Sequence, residues 1–417
     1  MIAVGIDIGK GKHAVAIIDE VGRPLCKSAF YDNNRAGAVK LLATLQVVAP
    51  PSDGTRIGME ATGGYWFAFH DFLVKAGYRV DVINPIVTSA SISGDVRGRK
   101  TDKGDALAIA RVVLRGETRP RQSSDKDSRR LMALTRQRSF MVEQRSSMKR
   151  HVQSLLDVAF PEFHTLFDDP MSTFALELLR AYPSAWMLSR AKRPAVAKIV
   201  RKHTRGKNVD EEASRLVEAA KVSLAAESEV YDTLGECIRS SIECILDMTA
   251  RIEKIERAIQ DFEMPKLGTI ITTIKGSGKL LPKVIAAEFG DLSRFEKDPK
   301  TGRESGMYKR LLAYAGAEVR IRESGKWKGQ PHMSKRGSGA LRTALMQIAF
   351  TISQNDDHFK AVYDKHINAG KHHYVALSFV VADLLRIVCS LWKSGRTYTV
   401  DKPAHKSVAA GVINTGK

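Results

Sequence analysis

The segment MIAVGIDIGKGKHAVAIID, residues 1–19, sets the fold class. Ile2 to Ile8 is apolar apart from one carboxylate, Asp7; Gly9 and Gly11 follow, and a second apolar run extends from His13 to Asp19. Two short β-branched runs separated by glycines predict strand, tight turn, strand. An aspartate flanked by apolar residues inside the first strand is out of place in an ordinary core, because a buried charge without a partner is strongly unfavourable.

Working outward, Leu25 to Phe30 predicts a third strand, Ala36 to Leu45 a helix and Thr55 to Glu60 a fourth strand. Tyr65 to Lys75 predicts a second helix, and Tyr78 to Ile83 a fifth strand ended by Asn84-Pro85. Thr101 or Asp102 can cap a helix running to about Leu114. Three strands, then helix, strand, helix, strand, helix, is the order of a ribonuclease-H-like α/β domain. Beyond it the chain turns helical. Ser124 to Ala159 predicts a long basic amphipathic helix, and Val209 to Phe262 is periodic. In its last part Ile245, Met248, Ile252, Ile255, Ile259 and Phe262 alternate in steps of three and four, the seam of a coiled coil or helical hairpin. Packing within the chain accounts for so short a seam at least as well as dimerisation. Ile274 to Gly290 reads as a helix-hairpin-helix-like element, Ile321 to Ser338 as a polar, glycine-rich loop and Ala340 to Trp392 as a helical block. The expected division is 1–160 for the α/β domain with its trailing helix and 161–265 for a helical, coiled-coil linker. A mainly α-helical domain takes 266–395, and 396–417 is a loose tail.

Charge points to the partner. The 417 residues carry 66 Lys and Arg against 46 Asp and Glu, a balance of +20 that favours a polyanion. Ten basic residues lie between Arg119 and Arg150, seven between Arg190 and Arg205, and seven between Arg320 and Arg342. Each block alone reads equally well as a solvated face; together they suggest a track for a nucleic-acid backbone. Four cysteines without a CxxC pair exclude a disulfide scaffold or zinc ribbon and fit a reducing compartment. With folded core beginning at Ile2, no leader is expected, and Tyr374 to Trp392 is broken by Asp383 and Arg386. That stretch predicts a buried or amphipathic helix and not a membrane span, with no membrane partner, so the expected location is cytoplasmic.

The strongest chemical signal is Asp7, Glu60, Asp102 and Asp105. In the predicted order the first and fourth strands are neighbours, and Asp102 and Asp105 share one helix face. Carboxylates gathered in this way repel unless a cation lies among them, and an all-oxygen donor set suits Mg2+, which promotes phosphodiester chemistry. Taken singly, Asp7 reads as a turn acid and Asp102 as a helix cap. The GIDIG of Gly5 to Gly9 also opens actin-like sugar kinases, but a second α/β lobe and a P-loop are missing from the pattern. In the last domain Gly276 and Gly278 form a turn that reads either as a purely structural hairpin or as one whose backbone N–H groups meet a phosphate. Ser324 sits beside Gly325 among Arg320, Arg322, Lys326 and Lys328, with Lys335 and Arg336 a little further on. This pattern fits a serine nucleophile facing a phosphodiester or a loop that merely hydrogen-bonds one, and chemistry alone leaves the two even.

The chain resembles the insertion-sequence transposases of the family numbered one hundred and ten, the bridge-RNA-guided recombinases. The resemblance rests on GIDIGKGKHAVAI, MEATGGYW (Met59 to Trp66), VINP (Val82 to Pro85) and RGRKTDKGDA (Arg97 to Ala106). It continues with IKGSGKLLPKVIAAEFGDLSRF (Ile274 to Phe295), LAYAG (Leu312 to Gly316), ESG (Glu323 to Gly325) and MSKRGSGALRTAL (Met333 to Leu345). It implies a RuvC-like domain whose acidic tetrad matches Asp7, Glu60, Asp102 and Asp105 and holds Mg2+. It also implies a transposase domain whose nucleophile matches Ser324, with Arg97 and Lys100 among the nucleic-acid contacts. Donor and target DNA, an element-encoded bridge RNA and a tetramer whose subunits share each active site are the implied partners. Ser277 at the centre of the glycine turn, the polar insert Lys297 to Tyr308 and Ala317-Glu318 after Gly316 depart from the family pattern. A Holliday-junction-type endonuclease using metal-activated water is the nearest alternative; a sugar kinase and a non-catalytic nucleic-acid binder are further ones.

Overall fold

The computed structural model describes residues 1–60, 64–83, 101–116, 126–204, 208–227, 229, 231–298, 301–320, 323–324, 327–328 and 332–399. β1 (Ile2–Asp7) pairs antiparallel with β2 (Lys12–Ile18), and β2 antiparallel with β3 (Ala29–Asp32). β1 also pairs in parallel with β4 (Thr55–Glu60), which pairs in parallel with β5 (Arg79–Ile83). The resulting order, β3-β2-β1-β4-β5, is the ribonuclease-H-like sheet. β3 starts later than the sequence suggests: Pro24 bridges Ile18, and Leu25 lies largely exposed before the ladder forms at Ala29.

Helices cover both faces of the sheet. α1 (Arg35–Val48), capped by the Asn34 side chain, and α2 (Trp66–Lys75) bury Leu41, Leu45, Phe69 and Leu73 against Val4, Ile6, Ile57 and Met59. α3 (Asp102–Leu114) lies on the opposite face, where Ile109, Ala110 and Val113 meet Ala3. Its closeness depends on two glycines that are register partners, Gly5 and Gly58. A Cβ on Gly5 would lie 2.0 Å from the Ala106 carbonyl oxygen and 2.4 Å from the Ala110 nitrogen; one on Gly58 would lie 2.4 Å from Val113 Cγ2.

The long helix α4 (Lys126–Ala159) runs next. Four shorter helices follow, α5 (Thr173–Ala181), α6 (Ala185–Ser189), α7 (Arg193–His203) and α8 (Val209–Lys221), and then α9 (Tyr231–Gln260). The periodic run from Val209 is therefore two helices, parted by a 3-10 turn at Leu224–Ala226 that the Ser223 side chain caps. α5 to α8 close a core of their own around Leu178, Val200 and Leu216 on Ile238 and Ile242 of α9. α4 and α9 pair antiparallel, with Arg138 on Glu256 and Arg145 on Thr249. Ile245, Ile252 and Ile259 are buried, so much of the predicted seam is satisfied inside the chain.

The C-terminal body contains α10 (Lys266–Thr272), α11 (Leu280–Phe289) and α12 (Met307–Ala315), and later α13 (Gly339–Asn355), α14 (Asp357–Asn368) and α15 (His373–Ser394). Its core joins Ile285, Phe289, Leu311, Leu345, Ile348 and Leu384. α15 has the length and hydropathy of a membrane span, but over half of that run is buried in the body. Asp383 is held by Arg386 at 2.7 Å and His358 at 2.6 Å, so the charges that interrupt the run are paired. The expected loop from Ile321 to Ser338 contains pairing: β6 (Val319–Arg320) with β9 (His332–Met333), and β7 (Glu323–Ser324) with β8 (Trp327–Lys328). Two-residue strands are too short to leave a period in the sequence. Residues 400–417, most of the predicted tail, fall outside the described residues.

Two buried charges on α11 weld this body to the helical pair. Lys283 donates to the Ile259 and Gln260 carbonyls at 2.9 and 2.8 Å and to that of Phe262, satisfying the C-terminal end of α9. Glu288 accepts two bonds, at 2.7 and 3.1 Å, from the Arg136 guanidinium of α4.

Candidate active site

Asp7 ends β1 and Glu60 ends β4, and the parallel register carries Ile6 opposite Met59, so the two acids close neighbouring strands at the same edge. Strand alternation fixes their face. Asp7 is paired with Ala14, which packs with Ala106 of α3, and Glu60 follows Gly58 by two on the side that meets Val113. Both acids therefore share the α3 face. Because Gly5 lies under Ala106 and Ala110, the first turn of α3 reaches toward the Asp7 end of β1.

That first turn carries Asp102 and Asp105. Thr101 is its cap, accepting from the Gly104 N–H at 3.1 Å, and Asp102 stands one place inside the helix with its side exposed to solvent. Acids here are also favoured by the helix dipole, the bland explanation for their presence. Among the described residues no three Asp, Glu, His or Cys side chains converge closely enough to enclose a cation. The arrangement is a carboxylate-bearing edge and not a closed cage. Its donors are all oxygen, the chemistry that suits a hard divalent ion.

Ser324 lies on β7, paired with Trp327 in the C-terminal body, on different elements from the four carboxylates. Arg320 and Lys328 lie in β6 and β8. Arg97, Lys100, Arg322 and Lys326 fall outside the described residues. Lys335 and Arg336 are exposed just beyond β9. Lys335 has φ 54°, the left-handed region, and among the described residues it is the only non-glycine there. In the glycine turn before α11, Gly276 and Gly278 both have positive φ. A side chain on Gly276 would strike the Thr351 carbonyl and Asn355, and Ser277 is buried; Gly278 faces open space, and Lys275 and Lys279 are exposed beside it. Gly276 is thus demanded by packing, whereas Gly278 is the accessible backbone.

The basic blocks divide on inspection. In the first, Arg129 pairs with Asp71, Arg130 with Asp127, Arg136 with Glu288 and Arg138 with Glu256. Arg129, Arg136 and Arg138 are thus tied to acids on other elements, whereas the Arg130–Asp127 pair lies on the surface. In the second, Arg193 and Lys202 pair with Glu218 and Glu177, while Lys192, Lys198 and Arg201 are exposed on the outside of α7 and its start. Gly5, Gly58 and the Arg136–Glu288 pair are the positioning features that residue-type reasoning misses; glycines spaced two residues from Asp7 and Glu60 are the available signal for the first two.

Residues 4–161 match the IS110 DEDD transposase family, and residues 268–364 match the transposase family IS116/IS110/IS902. An uncharacterized 44.8 kDa protein of insertion element IS116 from Streptomyces clavuligerus is 25% identical over 96% of this chain and 97% of its own. The transposase for insertion sequence element IS1111A from Coxiella burnetii is 23% identical over 83% of this chain and 76% of its own. The pilin gene-inverting protein of Moraxella lacunata is 27% identical over 32% of this chain and 41% of its own. Among solved structures, T. thermophilus RuvC in complex with Holliday junction substrate is 14% identical and covers 29% of this chain and 99% of that one, with a TM-score of 0.24.

Proposed function

We propose, from the premise that this chain belongs to the IS110 family of transposases and is an enzyme acting on DNA, that it cuts and rejoins DNA strands through Ser324, with Mg2+ at Asp7, Glu60, Asp102 and Asp105. The observation that carries this reading is the shared edge: two carboxylates at adjacent strand ends, facing a helix whose first turn adds two more.

In this reading Ser324 Oγ attacks a backbone phosphorus as its proton leaves to a base. The phosphorus–oxygen bond to one sugar breaks, and the departing oxygen takes up a proton. The resulting phosphoserine keeps the energy of the phosphodiester, so the hydroxyl of another strand can displace Ser324 and restore it without an external energy source. Mg2+, when bound, supplies Lewis-acid polarisation of the phosphate. Exposed Lys335 and Arg336, the open backbone at Gly278 and the basic strands around Ser324 hold the backbone of the DNA. The glycine turn between α10 and α11 acts as a helix-hairpin-helix-like phosphate contact. Donor and target choice rests on base pairing with an element-encoded bridge RNA, and a tetramer brings the carboxylate edge of one subunit to the serine of another. The enzyme works in the cytoplasm. The domain division at 160, 265 and 395 follows the sequence and is part of the proposal.

The test uses DNA bearing element ends, the neighbouring transcript and Mg2+. Ser324→Ala is expected to abolish strand exchange while leaving DNA binding unchanged; full exchange by this variant overturns the serine mechanism in favour of metal-activated water. The carboxylates are tested apart from activity. Mn2+ in place of Mg2+ should give an electron paramagnetic resonance signal of bound ion that Asp7→Asn weakens at least tenfold in affinity (about 1.4 kcal/mol). Equal binding by wild type and variant removes Asp7 from the site.

Lys335 is tested by two readouts of opposite sign. Glycine at this left-handed position removes strain of about 1–2 kcal/mol, so Lys335→Gly should raise thermal stability. If the ammonium meets a phosphate, the same variant lowers DNA affinity and reduces the slope of log affinity against log salt by about 1. Stabilisation with an unchanged slope assigns the residue to the turn alone.

A further inference from the structure

The second family match ends at residue 364, partway through a surface that plays no part in the chemistry above. The α14–α15 hairpin carries a strip of aromatic and imidazole rings. His366 stacks face to face on Phe379 at 3.7 Å and 14°, and the Lys371 ammonium lies 4.8 Å from the same ring centroid. His373 accepts or donates at 2.7 Å with the Tyr363 hydroxyl and meets Phe350 and Tyr374 edge-on. His372 stacks on Tyr374. Such rings usually close a core, yet here Tyr374 is 64% exposed, Phe350 47% and Phe379 38%.

The uncompensated charge around the strip is positive: Asp383, four residues after Phe379 on α15, is taken up by Arg386 and His358. Asp357 and Asp364 lie on α14 but, at about 100° per residue, they point roughly 160–180° away from His366. Lys365 and Lys371 flank it, and after burial their charge is what holds the His366 imidazole below its ordinary value. An apolar face alone suits a protein partner; aromatic faces fringed by lysines and imidazoles suit a polyanion with its own flat rings. Duplex DNA hides its base faces in the stack, so the fit is to unpaired nucleotides.

We infer that the open rings of Phe350 and Tyr374, joined through His373 and with exposed Lys371 and His372 near Tyr374 in the chain, bind single-stranded DNA by stacking bases. The inference rests on the proposed strand exchange for the source of an unpaired strand, but its test does not involve cleavage, so either can fail without the other. The full-length chain is mixed with an oligo(dT) strand of about 15 nucleotides in which some thymines are replaced by 5-iododeoxyuridine. Irradiation is expected to attach it to Tyr374 or Phe350, located by mass spectrometry. Tyr374→Ala should weaken binding of the same strand about tenfold, Tyr374→Trp should restore it, and binding to duplex of equal length should not change. Tyr374 is open to solvent, and Tyr374→Trp preserves an aromatic ring, so misfolding is distinguishable from lost stacking. Cross-links confined to other segments, unchanged binding by Tyr374→Ala, or tighter binding of oligo(rU) than oligo(dT) overturns the assignment. So does a change in oligomeric state by Tyr374→Ala without a change in DNA affinity, which identifies the strip as a contact between copies.

Discussion

Gly5→Ala is expected to destabilise the N-terminal domain by more than about 3 kcal/mol, beyond the usual range for overpacking. The added methyl would lie 2.0 Å from a backbone carbonyl oxygen of α3 and 2.4 Å from a backbone nitrogen, and neither can rotate away. The helix must retreat by about 1 Å or more to regain ordinary contact, and interiors as dense as crystals do not give that much without losing neighbours. Retreat would also carry Asp102 and Asp105 away from the edge formed by Asp7 and Glu60. Gly11→Ala is the control, because a Cβ there meets nothing within 4 Å. Thermal unfolding followed by circular dichroism checks the pair: a large fall in Tm for Gly5→Ala with little change for Gly11→Ala is expected. A Gly5→Ala protein melting within about 2 °C of wild type would mean that α3 does not lie against β1 at this distance.

Arg136→Met is expected to cost about 3–5 kcal/mol, because it strands a buried carboxylate. The Glu288 side chain is only 1% exposed and receives both hydrogen bonds from the Arg136 fork. Arg136 itself is half open to solvent, and its charged form is favoured by that bond, so the penalty falls on the glutamate left behind. Arg136→Lys keeps the charge but cannot make the two-pronged bond, and an intermediate loss is expected. Arg136→Met combined with Glu288→Met should recover much of the stability, since no buried charge remains. Urea unfolding of wild type, Arg136→Met, Glu288→Met and the double variant measures the coupling; additive losses would show that the pair does not hold α4 to α11.

The order of the N-terminal sheet is legible in the sequence because its strands have clear lengths and breaks: Thr55 to Glu60 ends at the predicted residues, and Thr101 is one of the two predicted caps. The acidic residues are legible because Asp7 violates the apolar pattern around it. What the sequence conceals is mutual approach. Gly5 and Gly58 look like turn or phosphate glycines until the register pairs them beneath a helix. Basic residues such as Arg129, Arg136 and Arg138 look alike as a row of cations, yet each has an acid on another element, 58, 152 or 118 residues away in sequence. Residue type reports that charge is present, and only the fold reports whether it is already spent. The segment around Ser324 is concealed for a different reason, because strands of two residues leave no alternation to read.

The central claim is that a serine on one body and a carboxylate edge on another act on the same DNA phosphate. The direct measurement is to quench the reaction with element-end DNA, transcript and Mg2+ under denaturing conditions, digest protein and DNA, and map the modified peptide by mass spectrometry. A nucleotide linked through phosphate to Ser324, lost in both Ser324→Ala and Asp7→Asn, is the predicted result. Cut or rejoined DNA in amounts equal to wild type, with no nucleotide on Ser324, would contradict it.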